Sequence, residues 1–336
     1  MIIAVDADGG EYAPYEIVKG AIKAAQEYNV EIALVGRRSM LHVLASRHSR
    51  KLDFTIVESS QVIEPHESPV RAVQNNPNSS IVVGINLLKT GAASAFVSAG
   101  NTGAVVYAAL RNLGRIEGIE RPAIGSIITI DAAPLLLLDA GANADCRPNY
   151  LVQFAQMGTI YAKHVLGISS PRVGLLSNGE EETKGNHLVK ESHKLLKETN
   201  LNFIGNVEGQ DIFKKKADVI VTDGFTGNIV LKTIEGLGST FQFLLQQVGQ
   251  LLSVASRLPS RALRRDISMD SRVKRWDYQE HGGACLLGLN GNVIIAHGRS
   301  QSKAIKNAIG LAKQTAERNI VQMIKEENYE QSSDSG

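Results

Sequence analysis

A pattern repeated six times constrains this chain most: a short apolar run ends in glycine together with Asp, Asn, Thr or Ser. Short apolar runs bounded by such turn residues are typical of buried β-strands. The first run, at residues 2–5, is joined by an amphipathic helix with short links to another apolar run at 32–35, which indicates a βαβ unit and a parallel sheet. The six polar loops contain Asp6, Gly100, Asn143, Asn178, Asn206 and Asp223. We expect an α/β fold whose loops meet in one cleft at one edge of the sheet, because open parallel sheets bind ligands at the carboxyl ends of their strands.

Residues 94–113 show the pattern most fully, as a buried strand, a loop of small polar residues and a helix with apolar residues at helical spacing. Such a loop presents backbone N–H groups at a helix N-terminus, where a phosphate binds well. An ordinary strand-to-helix turn with Thr102 as N-cap accounts for the same residues, and this segment alone leaves both interpretations open. The candidate phosphate-binding residues are Ser98, Gly100, Asn101, Thr102 and Gly103.

Composition limits the classes of function. Of 336 residues 43% are hydrophobic, which suffices for a large core, and the net charge of +2 gives no general attraction to nucleic acid. The two cysteines, Cys146 and Cys285, lie far apart in no pair motif, so neither a disulfide framework nor a zinc site is indicated. The first strand starts at Ile2 without a basic and apolar leader. We expect a protein of the cytoplasm.

One segment is strongly basic, although the chain as a whole is nearly neutral. Residues 251–275 combine leucines with seven basic and two acidic residues, a local charge of +5. A basic amphipathic element of this kind contacts an anionic membrane or an acidic protein, whereas a solvated linker is the alternative. The candidate contact residues are Leu252, Arg257, Leu258, Arg261, Arg264 and Arg265.

Several polar residues after strands are candidates for chemistry. Lys184 closely follows a strand and a run of glutamates, and Lys232 lies one helical turn beyond Asn228 on the same face. The loops show no Ser-His-Asp or Cys-His arrangement and no clustering of His or carboxylates typical of a metal site. The pattern therefore favours a site that binds and orients an anion.

Seven loops together resemble the bacterial phosphate acyltransferase family, in the family's order and over nearly the whole chain. These loops are residues 6–14, 98–104, 139–143, 178–185, 205–209, 222–228 and 281–284. The first loop departs from the family pattern, which usually has Met where Asp8 stands and Asp where Glu11 stands. An added carboxylate in an anion-binding loop leaves the role of this loop open.

The resemblance implies a fold and a reaction. The fold is the isocitrate/isopropylmalate dehydrogenase-like α/β class, with three α/β/α layers, a mostly parallel sheet with an antiparallel part, and a homodimeric assembly. The reaction transfers a fatty acyl group from acyl carrier protein to inorganic phosphate, without a cofactor or metal. The acyl phosphate then serves phospholipid synthesis at the inner face of the cell membrane, where we expect peripheral association.

The resemblance also suggests roles. Phosphate is itself the nucleophile, so the protein supplies positioning and charge. We expect Lys184 and the loop at residues 98–103 to bind phosphate. Asn143, Asn228 or Lys232 stabilises the oxyanion, and Asp223 orients Lys184 or a loop. His297 either protonates the leaving thiolate or is structural.

We expect residues 1–328 to form one α/β unit, or two lobes, with the basic element at about 240–275 and a disordered tail at 329–336. Apolar runs at 124–130 and 135–138 predict one hairpin, and runs at 281–289 and 293–298 predict a final strand pair. We expect helices that begin near Pro69 and Pro148, a long helix at about 229–252 and a single last helix at about 302–325. Three other functions stay open. A nicotinamide-dependent dehydrogenase of the same fold would need clustered Asp ligands and would reduce NAD⁺. A phosphotransacetylase would prefer coenzyme A to acyl carrier protein. A membrane scaffold would bind acyl carrier protein without forming acyl phosphate.

Overall fold

The computed structural model describes residues 1–48, 54–130, 133–255 and 282–333. The strands are β1 (Ile2–Asp6), β2 (Glu31–Gly36), β3 (Thr55–Glu58), β4 (Ala95–Ser98), β5 (Ala123–Ile130), β6 (Ala133–Leu138), β7 (Val173–Leu176), β8 (Phe203–Val207), β9 (Val219–Val221), β10 (Ala284–Leu287) and β11 (Asn292–Ile295). The helices are α1 (Tyr15–Tyr28), α2 (Arg38–His48), α3 (Pro69–Asn75), α4 (Ser80–Lys89), α5 (Thr102–Leu113), α6 (Pro148–His164), α7 (His187–Lys197), α8 (Gly224–Ala255), α9 (Ser302–Glu317) and α10 (Ile320–Ser333).

The strands form one continuous sheet in the order β3-β2-β1-β4-β11-β10-β5-β6-β9-β7-β8. Strands β1 to β4 and β11 pair in parallel, and so do β6 to β9. Between these two groups, β10 pairs antiparallel with both β11 and β5, and β5 pairs antiparallel with β6. The expected mostly parallel sheet with an antiparallel part is confirmed, including both predicted hairpins.

Helices cover both faces of the sheet, which confirms the three-layer α/β/α architecture. Alternate strand residues point to opposite faces, as Ile3 and Val5 do against Ala4. The first face packs against α1, α2, α6, α7, α9 and α10, and the second against α3, α4, α5 and α8. The functional site described below lies on the second face.

Two helical segments of the C-terminal half differ from the prediction: helix α8 in its start, and the last predicted helix in its continuity. Helix α8 begins at Gly224, earlier than expected, because Asp223 caps it. The predicted single last helix is two helices, since Asn319 takes a left-handed conformation with φ 49° between them. Helix α10 runs to Ser333 and so enters the segment expected to be disordered from residue 329. Extending an existing helix adds hydrogen bonds without a new nucleation cost, which favours this continuation.

None of the described helices combines the length and apolar character that crossing a bilayer requires. The basic element lies largely outside the described residues.

Candidate functional site

A cleft of about 390 Å³ lies over the second face of the sheet, between the N-terminus of α5 and helix α8. Its floor comprises residues of the central strands: Ile124, Ser126, Ala284 and Ile295. Its walls come from five separate segments, namely the start of α5, the loop after β6, helix α8, the glycines before β10 and the turn after β11. The wall residues include Thr102, Gly103, Ala140, Gly141, Asn228, Lys232, Glu235, His297 and Ser300.

The predicted single edge for all six loops is wrong, because the strands before them do not run in one direction. The antiparallel strands β10 and β5 separate two parallel groups that run opposite to each other. The carboxyl ends of β1 and β4 therefore lie at one edge of the sheet, and those of β6, β7, β8 and β9 at the other.

The register of the central strands still brings the inner loops together. Ala284 pairs with both Ser126 and Ile295, and Ile295 pairs with Ser98, so β4 ends level with Ser126 on β5. The N–H of Ile124 donates to Asp139 Oδ1 at 3.0 Å, so the loop after β6 starts level with Ile124. Ile124 stands only two residues before Ser126 on β5. The loops after β4, β11 and β6 consequently surround one cleft, whereas the loops after β7 and β8 do not line it.

Two residues of the predicted phosphate loop serve its own structure. Ser98 Oγ donates to Asp6 Oδ2 at 2.6 Å and accepts from the N–H of Gly100 at 3.0 Å. Asn101 is the N-cap of α5: its Oδ1 accepts from the N–H of Ala104 at 3.0 Å. Its Nδ2 donates to the carbonyls of Glu64, Pro65 and Glu67. These two side chains hold the loop rather than present donors to the cleft.

The other end of the same loop faces the cleft. Thr102 and Gly103 line it, and within the described part of the chain neither N–H has a hydrogen-bond partner. These are orphan donors of the first helical turn, and they lie at the positive end of the α5 dipole. A Cβ on Gly103 would lie 2.5 Å from Pro69 Cγ, so glycine permits α5 to begin against α3. The anion-binding capacity of this loop resides in these backbone groups.

A buried carboxyl group supports the loop from below. Asp6 is fully buried, and burial raises its pKa, although hydrogen bonds from Ser80, Ser98 and the N–H of Asp8 oppose this effect. A Cβ on Gly9 would lie 2.2 Å from Asp6 Oδ2 and 2.8 Å from the N of Gly100. The β1 and β4 loops therefore pack directly on this carboxyl group. Asp6 therefore supports the loop between β4 and α5.

Asp8 and Glu11, the two departures from the family pattern, do not line the cleft. Asp8 Oδ2 accepts from Ser59 Oγ at 3.5 Å, and Oδ1 lies 3.8 Å from Arg37 Nε. Burial and then the charge of Asp6 raise the pKa of Asp8. Glu11 pairs with Arg299 at 3.2 Å. Both carboxyl groups thus contact residues outside the α5 loop.

Opposite α5, helix α8 contributes a cation. Lys232 Nζ donates to Glu235 Oε2 at 2.7 Å and lies 2.7 Å from His297 Nε2. Burial and then the nearby Lys232 charge lower the pKa of His297, while Glu235 opposes them. The lowered pKa favours the neutral imidazole, whose Nδ1 accepts from the backbone N–H of Arg299 at 3.1 Å. The arrangement fixes one positive charge at the wall of the cleft.

Asn228, one turn before Lys232, is available to a ligand. It is exposed, lines the cleft and has no hydrogen-bond partner for its side-chain amide among the described residues. A Cβ on Gly141 would lie 3.7 Å from Asn228 Cβ, in ordinary van der Waals contact, so Asn228 lies beside the loop after β6. Asn228 and Lys232 are the predicted site residues that share the cleft with Thr102 and Gly103.

Asn143 and Asp223 are bonded within their loops. Asn143 Nδ2 donates to the carbonyl of Pro122 at 2.8 Å and to Asp139 Oδ2 at 2.9 Å, which uses both amide hydrogens. Asp223 accepts from the N–H and the hydroxyl of Thr226, both at 2.8 Å, and so caps α8. Of the two expected partners of Asp223, the structure places its own loop against it and not Lys184.

Sequence reasoning missed Asp139 as the centre of the β6 loop. Its carboxylate accepts from the N–H groups of Ile124, Gly141, Ala142 and Asn143 at 2.7–3.1 Å. Burial nevertheless raises its pKa. An Asp that directly follows an apolar strand and stands two residues before Gly141 is the sequence signal that could have identified it. Glu235 was also missed, although it stands three residues after Lys232 on the same helix.

Lys184 lies in the loop after β7 and does not line the cleft. The loop is held by Asn206 Nδ2, which donates to the carbonyl of Glu181 at 2.9 Å. The neighbouring cations Lys197 and Lys216 pair with Glu182 and Glu180. Lys184 itself is exposed, and its ammonium has no partner among the described residues.

One group of carboxylates has the spacing of a metal site, within the described ranges. Oxygens of Glu180, Glu208 and Asp211 lie within 4.8 Å of one another. Lys216 already pairs with two of them, at 2.7 Å from Glu180 and 3.6 Å from Asp211. A lysine ammonium therefore supplies the compensating positive charge there.

The proposed contact residues of the basic element cannot be placed. Arg257, Leu258, Arg261, Arg264 and Arg265 lie in 256–281, outside the described residues, and Leu252 is described only as part of α8.

Comparisons with known proteins agree with the resemblance. A family model described as "Fatty acid synthesis protein" matches residues 1–323. A phosphate acyltransferase of Dehalococcoides mccartyi is 56% identical over 328 residues, which is 97% of this chain and 94% of that protein. A phosphate acyltransferase of Pelotomaculum thermopropionicum is 48% identical over the same shares of the two chains.

Solved structures share the fold at low sequence identity. A phosphotransacetylase from Streptococcus pyogenes aligns with a TM-score of 0.63 at 17% identity and 94% coverage of both chains. A 4-hydroxythreonine-4-phosphate dehydrogenase from Klebsiella pneumoniae aligns with a TM-score of 0.53 at 12% identity, covering 94% of this chain and 99% of that one. These likenesses establish the architecture and carry no further conclusion.

Proposed function

The chain belongs to the phosphate acyltransferase family, and we propose that it transfers a fatty acyl group from acyl carrier protein to inorganic phosphate. Family membership makes it an acyltransferase that acts in fatty acid and phospholipid synthesis. In the proposed reaction a phosphate oxygen attacks the thioester carbonyl carbon. The C–S bond breaks, an acyl phosphate forms, and the carrier protein leaves as a thiolate that takes up a proton from solvent.

The convergence of two backbone N–H groups, one amide and one lysine ammonium in one cleft carries this proposal. The N–H groups of Thr102 and Gly103 lie at a helix N-terminus, and Asn228 and Lys232 line the same cleft. Anionic phosphate binds at the first pair. The second pair donates to the oxyanion that develops on the thioester carbonyl, where preorganised donors accelerate acyl transfer. Asn143 then has a supporting role, because it holds the β6 loop.

Lys184 offers a second cation for substrate binding. Its ammonium is exposed without a carboxylate partner among the described residues, in contrast with Lys197 and Lys216 nearby. We propose that it binds an anionic group that the substrate brings, such as phosphate.

Incubation of the purified protein with palmitoyl-acyl carrier protein and labelled phosphate tests the reaction. We expect a labelled product that hydroxylamine destroys. Palmitoyl-coenzyme A in a parallel reaction distinguishes the donors, and we expect a lower kcat/KM with it. A preference for coenzyme A contradicts the proposed donor, and the absence of labelled product with both donors contradicts the proposed reaction.

We propose that α8 also forms a homodimer interface. Its exposed apolar residues are Phe225, Ile229, Leu237, Phe243 and Leu244. At 100° per residue they lie within an arc of about 120°, which is one face of the helix.

Light scattering on a sizing column should give the mass of a dimer, and Leu237→Glu combined with Leu244→Glu should give a monomer. Val43→Glu, at an exposed position on α2, is the control, and an unchanged mass of the α8 variant contradicts this interface.

The basic element supports a proposed peripheral location at the inner face of the cell membrane. Its arginines attract anionic lipid, and its leucines enter the interface. We expect the protein to float with vesicles that contain an anionic lipid and not with zwitterionic ones, and Arg261→Glu with Arg264→Glu to abolish flotation. Equal flotation with both vesicle types contradicts the membrane role. Loss of affinity for acyl carrier protein in the variant would assign the element to that partner.

A further inference from the structure

Ser300 is a buried residue whose hydroxyl has no partner. It is 2% exposed, and its Oγ has no hydrogen bond in the described structure. Its backbone N–H donates to the carbonyl of His297 at 2.8 Å, so the turn after β11 fixes the residue. An unpaired hydroxyl in a protein interior costs stability, and such groups point to a ligand or water.

The position of Ser300 identifies the ligand class. It lines the same cleft as Thr102, Gly103 and Lys232. Those three contribute two unpaired N–H groups at a helix N-terminus and one ammonium group. A third neutral donor in the same cleft adds to a set of donors suited to an anion with several oxygens. The turn is also tied to the first loop, since the N–H of Glu11 donates to the carbonyl of Gly298 at 2.8 Å.

We propose that Ser300 Oγ donates a hydrogen bond to the inorganic phosphate held at the N-terminus of α5. This inference rests on the proposed function, because it assigns one more contact to the same substrate. Ser300 is thus a phosphate-binding residue, and its hydroxyl gains a partner only in the complex. The acyl donor, which enters with its thioester carbonyl toward Asn228, does not contact it.

Ser300→Ala tests the contact, and Ser192→Ala is a matched control. Ser192 lies on α7, is 0% exposed, has an equally unpaired hydroxyl and does not line the cleft. Neither variant loses a hydrogen bond that the unliganded protein makes, so both should fold. Ser300→Cys keeps the size with a weaker donor and serves if alanine impairs folding.

In Ser300→Ala we expect the KM for phosphate to rise at least tenfold, since the lost hydrogen bond goes to a charged group. The KM for the acyl donor should stay within twofold, and Ser300→Cys should be intermediate. The rise in melting temperature that phosphate alone produces in the wild type should shrink in Ser300→Ala and persist in Ser192→Ala. This melting readout needs no turnover, so it separates failure of this inference from failure of the proposed reaction. An unchanged KM for phosphate, an equal change in Ser192→Ala or a change confined to the acyl donor overturns the assignment.

Discussion

Lys232 Nζ lies 2.7 Å from His297 Nε2, although the two residues belong to α8 and to the turn after β11. Glu235 joins them, with its Oε2 2.7 Å from the lysine and 3.6 Å from the histidine. The carboxylate holds the ammonium group at the wall of the cleft. A cation fixed in this way needs little reorganisation when negative charge develops in the cleft.

Replacing Lys232 should therefore affect both catalysis and its neighbour. In Lys232→Met we expect kcat/KM to fall roughly 100-fold, because one preorganised charge is lost. The pKa of His297 should rise, since the lysine charge is a cause of its lowered value. Steady-state kinetics and an NMR titration of the His297 ring measure the two effects. Lys194→Met, at a surface pair with Glu191, is the control, and an unchanged His297 titration would contradict the contact.

Asn228 should act on the chemical step. We expect Asn228→Ala to lower kcat by roughly 10²-fold with little change in the KM for phosphate, as for removal of an oxyanion donor. Asn228→Asp should be slower still, because it places a carboxylate where negative charge develops. Single-turnover rates with saturating phosphate provide the measurement. Asn112→Ala at the far end of α5 serves for comparison, and a wild-type rate in Asn228→Ala would exclude the role.

Gly103→Ala tests the N-terminus of α5 as the anion site. The added Cβ would lie 2.5 Å from Pro69 Cγ, so α5 must move relative to α3. We expect roughly 1–3 kcal/mol lower unfolding free energy and a higher KM for phosphate. Urea unfolding and initial rates measure them. Gly209→Ala, where nothing lies within 4 Å of the added Cβ, should change neither, and an unaltered KM in Gly103→Ala would place phosphate elsewhere.

Asp6 should give the protein a characteristic pH dependence. Burial raises its pKa in the folded state above the ordinary 3.8, so the folded protein binds more protons than the unfolded chain. Its contribution to stability is complete below about pH 3.8 and falls as the pH rises through the folded pKa. Asp6→Asn cannot titrate, so its unfolding free energy relative to the wild type should increase with pH.

Urea unfolding of Asp6→Asn and the wild type between pH 4 and pH 8 measures this difference. Asp145→Asn, at an exposed position, is the control for the loss of one carboxyl group. A constant difference for Asp6→Asn across this pH range would mean that burial does not raise the pKa of Asp6.

Lys184→Met tests the residue that the structure leaves outside the cleft. If its unpaired ammonium binds a substrate anion, the KM for phosphate or for the carrier protein should rise about tenfold. Lys194→Met again provides the comparison. Kinetics equal to the wild type, with an unchanged melting temperature, would remove Lys184 from the site.

Local sequence patterns predicted most of the strands and helices of this protein, and the family resemblance implied its three layers. Short apolar runs predicted the strands. Two neighbouring runs with a short link between them predicted each of the two hairpins, β5 with β6 and β10 with β11. Pro69 and Pro148 marked helix starts, since proline lacks only an N–H that the first turn does not use. Helix α2 was missed, because its mixed sequence gives a weak amphipathic signal.

Which polar residues remain for a ligand was decided by the tertiary structure alone. Asn101, Asn143 and Asn228 all follow strands and read alike in the sequence. The side-chain amides of Asn101 and Asn143 donate hydrogen bonds to carbonyls of residues 64–67 and 122, whereas the amide of Asn228 has no partner among the described residues. These partners depend on the direction and register of strands that are distant in the sequence. The local spacing of apolar residues, with period two in strands and 3.6 in helices, encodes neither property. The sequence therefore determined what each loop contains, and the pairing of β5 with β6 and β10 decided which loops meet.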